Sequence, residues 1–160
     1  MSVITQLSYG ANGPLNVMLL DLNTQEEHEL HAVDLEATNV LAIDSAFERR
    51  TPVNIGLDKR NHIIRVESVG PAPYPPLPVD PGPPEFEFTI TRIATQRTEN
   101  RLIAEVFVTK NPAAALVEEN QILTTDPIMH TLCHGAFLSN RRLKITTDQG
   151  HIKQVVKRCL

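Results

Sequence analysis

The chain uses one stretch twice, and this repeat limits its architecture more than any other feature. The two copies run over residues 34–68 and 126–158. Each reads as a capped helix ending in Ala-Phe, then a strand, a turn carrying an aspartate, and a strand built on His-Ile and Val. Ala46 and Phe47 match Ala136 and Phe137. Ile55 matches Ile145, Asp58 matches Asp148, and His62 and Ile63 match His151 and Ile152. A unit that recurs with its helix and turns in the same order implies two modules of like topology.

The flanks extend the match. Val3 to Ser8 alternates weakly and predicts a strand; turn formers follow from Gly10 to Pro14. Leu15 to Leu22 predicts a second strand with apolar residues on both faces, the mark of burial on two sides or of an oligomer contact. Glu27 to Val33 predicts a third. Asp34 is the expected helix cap, because its carboxylate can accept an orphan backbone N–H. Val40, Ile43 and Phe47 keep helical spacing until Pro52 stops the helix. Val53 to Leu57 and His62 to Val69 complete five strands.

The second half repeats this order. Ile90-Thr91-Arg92-Ile93 echoes Ile4-Thr5-Gln6-Leu7, and Leu102 to Val108 echoes Leu15 to Leu22. Residues 111–120 are a longer excursion, with one helical turn expected on Ala113 to Val117. Asp126 followed by Pro127 is a strong helix start. Between the halves lies GPAPYPPLPVDPGPPE, Gly70 to Glu85. Proline fixes φ and removes N–H donors, so a stiff, extended connector is expected here. Its Pro75 to Pro78 run also fits domains that bind proline-rich ligands, although dense proline makes such runs by chance.

The expected fold class is therefore mainly β with two helices, α+β and barrel-like. It consists of two tandem β-β-β-α-β-β modules, residues 1–70 and 86–160, joined by a proline-rich linker, 71–85. Five strands with a helix between the third and fourth is the chain order of the OB barrel. An SH3-like barrel or a β-grasp-like sheet shares enough of that order to stay open. The segment Ile128–Ile145 (IMHTLCHGAFLSNRRLKI), closing on His151 to Val156, resembles the helix and last strands of the cell-binding B subunits of bacterial enterotoxins. Those are OB barrels that form rings and bind host glycans. The resemblance covers about 30 residues per copy, and these positions carry the fold more than any activity. The chain departs from those subunits in its fused modules, its lack of tryptophan and its lack of a disulfide framework. The resemblance thus implies a fold and a tendency to associate, and no binding residue.

Charge and composition exclude several classes. No apolar run approaches a membrane span, and the N-terminus lacks the basic and apolar regions of a secretory signal. Two cysteines, Cys133 and Cys159, are too few for a disulfide scaffold, so a reducing, cytoplasmic setting is expected. Net charge is −4, with −5 on residues 1–70 and +3 on residues 86–160, so oppositely charged halves are able to dock. A mildly acidic chain is a poor general nucleic-acid binder.

Three constellations carry candidate chemistry. His130 and His134 stand at i and i+4 on the second helix beside Cys133, and His151 or Cys159 is available to complete a zinc set. No acidic base lies between the histidines, so the metalloprotease pattern is missing. One buried cysteine and two surface histidines is the simpler expectation. Arg141, Arg142, Lys144, Lys153, Lys157 and Arg158 cluster on the last two strands as a weak candidate basic face for phosphates. Those strands lack the aromatics that stack bases, so a solvated charged face is the simpler reading. Asp58 and Asp148 read as turn residues, and His62 and His151 as turn exits. No catalytic residue, cofactor or metal is expected. The expected function is non-enzymatic binding or assembly through self-association, with a protein or a glycan as ligand and neither nucleic acid nor membrane as partner. The alternatives are a tandem single-strand nucleic-acid binder and, more remotely, an enzyme or metal protein using His130, Cys133 and His134.

Overall fold

A computed structural model describes residues 1–33, 37–69 and 80–159. Among the described residues ten strands and two helices follow in the order β1 (Ser2–Gly10), β2 (Leu15–Asp21), β3 (Glu27–Ala32), α1 (Ala37–Arg49), β4 (Val53–Leu57), β5 (Ile63–Ser68), β6 (Phe88–Thr98), β7 (Arg101–Thr109), β8 (Asn120–Thr124), α2 (Pro127–Leu138), β9 (Arg142–Asp148) and β10 (His151–Arg158). The fold is mainly β with two helices, as the strand and helix signals predicted.

In the second half the strands close on themselves. β6 pairs β7, β7 pairs β8, β8 meets β10 in parallel at Leu123 and His151, β10 pairs β9, and β9 returns to β6. This is a closed five-strand barrel. The first half makes the same circuit of contacts. β1 pairs β2, β2 pairs β3, β3 meets β5 in parallel at His31 and His62, β5 pairs β4, and β4 touches β1 at Ser2 and Val53.

The irregularities also coincide. Thr5 bulges out of β1 and Thr91 out of β6, and each hydroxyl donates to a carbonyl on the next strand, Met18 and Phe107. A bulge changes the phase of a strand. It explains why Ile4 and Leu7 both point inward although they are three residues apart. The β4–β5 and β9–β10 ladders each slip once, at Ile64 and at Lys153. Both helices end the same way. Arg50 and Asn140 take positive φ, and the amides of Thr51 and Arg141 donate back to Ala46 and Ala136.

The halves then join edge to edge. β1 pairs β10 antiparallel, with Leu7 opposite Lys157 and Tyr9 opposite Val155. The amide of Cys159 donates to the Thr5 carbonyl at 2.9 Å. α1 packs on α2, and one hydrophobic core draws on both halves: Ile4, Leu7, Val17 and Phe47 with Val106, Met129, Leu132 and Val155. The two-sided apolar strands resolve into an inner and an outer row. Leu15, Val17 and Leu19 are buried, while Met18 and Leu20 are half-covered by cross-strand neighbours.

Three sequence expectations are corrected or displaced. No helical turn forms over Ala113–Val117; the segment is a turn and a bend, and Leu116 is exposed. A short apolar run without a cap or a covering surface does not offset the cost of nucleating a helix. The cap expected at Asp34 lies outside the described residues, as do the Pro75–Pro78 run and most of the connector. The described end of that connector is docked. Arg50 bridges Asp80 at 2.9 Å, the Arg142 amide donates to the Pro81 carbonyl at 2.7 Å, and Gly82 and Pro83 are buried. Gly82 sits at φ +93°, where a side chain would strain the backbone.

Candidate functional site

The α2 cluster does not assemble. Asp126 caps the helix as predicted, accepting from the amides of Ile128 and Met129, and its other oxygen takes the Tyr9 hydroxyl at 2.5 Å. Burial and this contact push the Tyr9 phenol above its ordinary range. Cys133 faces the core, fully buried, and burial pushes its thiol up to about 12, which makes it a poor metal ligand or nucleophile. His130 and His134 lie on the outer side with ring centroids 6.1 Å apart. Burial, and then the charge of His134, lower the His130 pKa. His151 stands apart on β10 against the Gln149 carbonyl, and the neighbours acting on Cys159 are Arg141, Arg50, Asp80 and Glu48. Among the described residues no three histidine, cysteine or acidic side chains are grouped to hold a metal.

The candidate basic face is split between interior and surface. Lys144 and Lys153 are exposed, and Lys153 lies 3.8 Å from Asp148. Arg142 is tied to the connector. Arg141 and Lys157 are buried, 2% and 0% exposed. Asp58 behaves as a turn residue, accepting from the amides of Arg60 and His62, which hold its carboxyl below the usual range. Its counterpart Asp148 makes the lysine contact instead.

What the fold does bring together is a buried ion cluster where the halves meet. Lys157 on β10 reaches α1. Its ammonium contacts the Asp44 carboxylate, lies 2.8 Å from Glu48 Oε1, and donates to the Leu132 carbonyl at 3.0 Å. Arg141 takes the other Glu48 oxygen at 3.1 Å and donates to the Arg158 carbonyl. Its guanidinium lies 4.6 Å from the centre of the Phe47 ring, a cation–π contact. Two acids from the first half thus face two bases from the second. The signal for this cluster was available in the pattern: Asp44 and Glu48 are one helical turn apart on a face that also carries Val40 and Phe47. Lys157 keeps strand alternation with the buried Val155.

Burial dominates the ionisation of Asp44 and raises its pKa above 3.8 despite the adjacent Lys157. A raised carboxylate binds more protons folded than unfolded. Its contribution to stability therefore falls as pH rises from 3.8 through the raised folded value. The advantage of wild type over Asp44→Asn should shrink with rising pH across that window. Urea midpoints of both proteins over a pH series measure this; a difference that does not vary with pH rejects it.

Gly135 lies where α2 packs against Asp44 of α1. A Cβ placed there would run into the Asp44 carboxylate and lie 3.2 Å from the Lys157 ammonium. Alanine usually stabilises a helix by about 1 kcal/mol over glycine. Here overpacking of about 1–3 kcal/mol should win, so Gly135→Ala is expected to lower the urea midpoint. A raised midpoint would show that the helices part without cost.

Beside the cluster a groove of about 810 Å³ opens between the helices and β6, lined in part by Leu41, Ile93, Thr95, His130 and Leu138. Leu41 and Leu138 are 60% and 71% exposed. Among the described residues no helix is long and apolar enough to cross a membrane. No family model, no curated protein and no solved structure matches the chain.

Proposed function

We propose that this is a non-enzymatic assembly protein, made from a duplicated OB-type barrel and working as an oligomer that presents loops or barrel faces to a protein or glycan ligand. The supporting observation is the junction between the halves. One β1–β10 ladder and one buried ion cluster join two units with the same strand pairings, bulges and helix ends. A unit that already associates edge to edge inside the chain has the means to do so between chains. The two free cysteines, one buried and one partly buried, fit a reducing compartment such as the cytoplasm. Against a single-strand-binding role, Arg141 and Lys157 spend their charge on Glu48 and Asp44. Light scattering at two concentrations tests the reading. A mass that is a multiple of 17.8 kDa is expected, and a strict monomer overturns it.

A further inference from the structure

The junction between the halves uses one edge from each. On β1 the residues from Gln6 to Gly10 face outward from the first half, and on β10 those from Gln154 to Arg158 receive them. The counterparts of these edges are Arg92–Gln96 on β6 and residues 65–69, at and just past the end of β5. The match follows from the shared bulges at Thr5 and Thr91 and the shared slips at Ile64 and Lys153. Among the described residues neither counterpart carries a ladder. Among the described residues β6 pairs β9 only at Phe88 and Thr89, leaving the rest of that edge open. β5 pairs β4 on one side, and among the described residues its other side carries no ladder beyond the bridge at His62.

We infer that these two open edges pair with each other between copies of the chain, β6 of one against β5 of the next, in the register that the β1–β10 ladder sets. Ile93 then lies opposite Ser68, Ala94 opposite Glu67 and Thr95 opposite Val66. This rests on the assembly reading and specifies its interface.

The side chains around the two edges support a second copy as the occupant. In the internal junction, Asp44 and Glu48 meet Arg141 and Lys157. The counterparts are His134, Leu138, Thr51 and Ser68, as the shared Ala-Phe helix ends and β-ladders place them. Acids have gone from one side and bases from the other at these four positions, and on the ladder itself the exposed Glu67 lies 3.4 Å from Arg65 of its own strand. A buried unmatched charge would be costly. The same substitutions keep the internal junction from being replaced by an external one, since the charged edges fit only each other.

Burial also differs as a missing neighbour predicts. Leu7 and Val155 are buried, whereas their counterparts Ile93 and Val66 are only partly so. Leu138, in the place of Glu48, is exposed beside Ile93. Because the contact joins unlike edges, a joined pair still has one edge of each kind free. The assembly is therefore head-to-tail, a ring or a filament.

Backbone direction supplies a selective test. The amides of Ala11 and Cys159 bond across the internal junction, so odd-numbered residues of β1 and of the end of β10 point their N–H groups into it. By the same alternation, Thr95 on β6 and Val66 on β5 aim theirs at the open edges. Proline is tolerated on an edge strand when its missing N–H faces solvent. Thr95→Pro and Val66→Pro should each give a monomer by light scattering, with the fold retained in far-UV circular dichroism. Mixed, they should form a dimer and nothing larger, because together they retain one good edge of each kind. As an independent probe, a chain carrying Ala94→Cys and Glu67→Cys should give a ladder of disulfide-linked species on mild oxidation. Ser8 and Val156, their internal counterparts, occupy the closer, non-hydrogen-bonded kind of pair, about 4.5 Å between Cα atoms and within disulfide reach. A wild-type monomer sinks both this interface and the assembly reading. A wild-type oligomer that both proline variants leave intact, or a ladder formed by Ala94→Cys with Arg65→Cys but not with Glu67→Cys, overturns the interface alone.

Discussion

Lys157→Ala is expected to lower stability by about 3–5 kcal/mol, enough to remove most of the margin of an ordinary domain. The ammonium is the shared partner of Asp44 and Glu48, and it also bonds the Leu132 carbonyl. Without it, among the described residues, the buried Asp44 keeps no cation at hydrogen-bonding distance and Glu48 keeps only Arg141. A buried ion pair costs much to break on one side and little to remove whole, because desolvation offsets most of its attraction. The double variant Lys157→Met with Asp44→Leu should therefore recover much of the loss. Urea unfolding of the wild type, Lys157→Met, Asp44→Leu and the double variant measures the coupling. If the double variant is as unstable as the sum of the singles, the cluster is not acting as a pair.

Phe47→Ala should cost about 3–5 kcal/mol as well, the usual range for a fully buried aromatic. The ring lies in the core between the halves, with Arg141 and Lys157 over it at 4.6 and 5.5 Å. Phe137, the matching residue of α2, is only partly buried. Phe137→Ala is expected to cost below about 3 kcal/mol. Equal losses at the two positions would mean that burial at the helix ends does not set their weight. Thermal melts of the two variants at one concentration make the comparison.

The order of elements was legible because the signals are local. Asp126 before Pro127, the two Ala-Phe helix ends, and the turn aspartates each specify a structure within a few residues. The alternation of Leu15, Val17 and Leu19 marked its strand equally directly. The site was not legible in the same way. Arg141 and Lys157 read as a surface face because clustered bases usually are one. Alternation with Val155 puts Lys157 on the inner face, but its burial against acids comes from the packing of the first half on the second, and no pattern within either half specifies that partner. The bulge at Thr5 hid the true alternation of β1, since one extra residue shifts every side chain after it. The excursion after Thr109 misled in the opposite direction: Ala113 to Val117 has helix formers but nothing to pack on.

The β1–β10 ladder also sets an order of events on the ribosome. β1 leaves the exit tunnel well before β10, so the rim that β10 will cover stays bare until β10 has been translated. During that interval Asp44 and Glu48 have no cations to meet. Water solvates those carboxylates in the nascent first half, and Lys157, translated near the end, completes the junction.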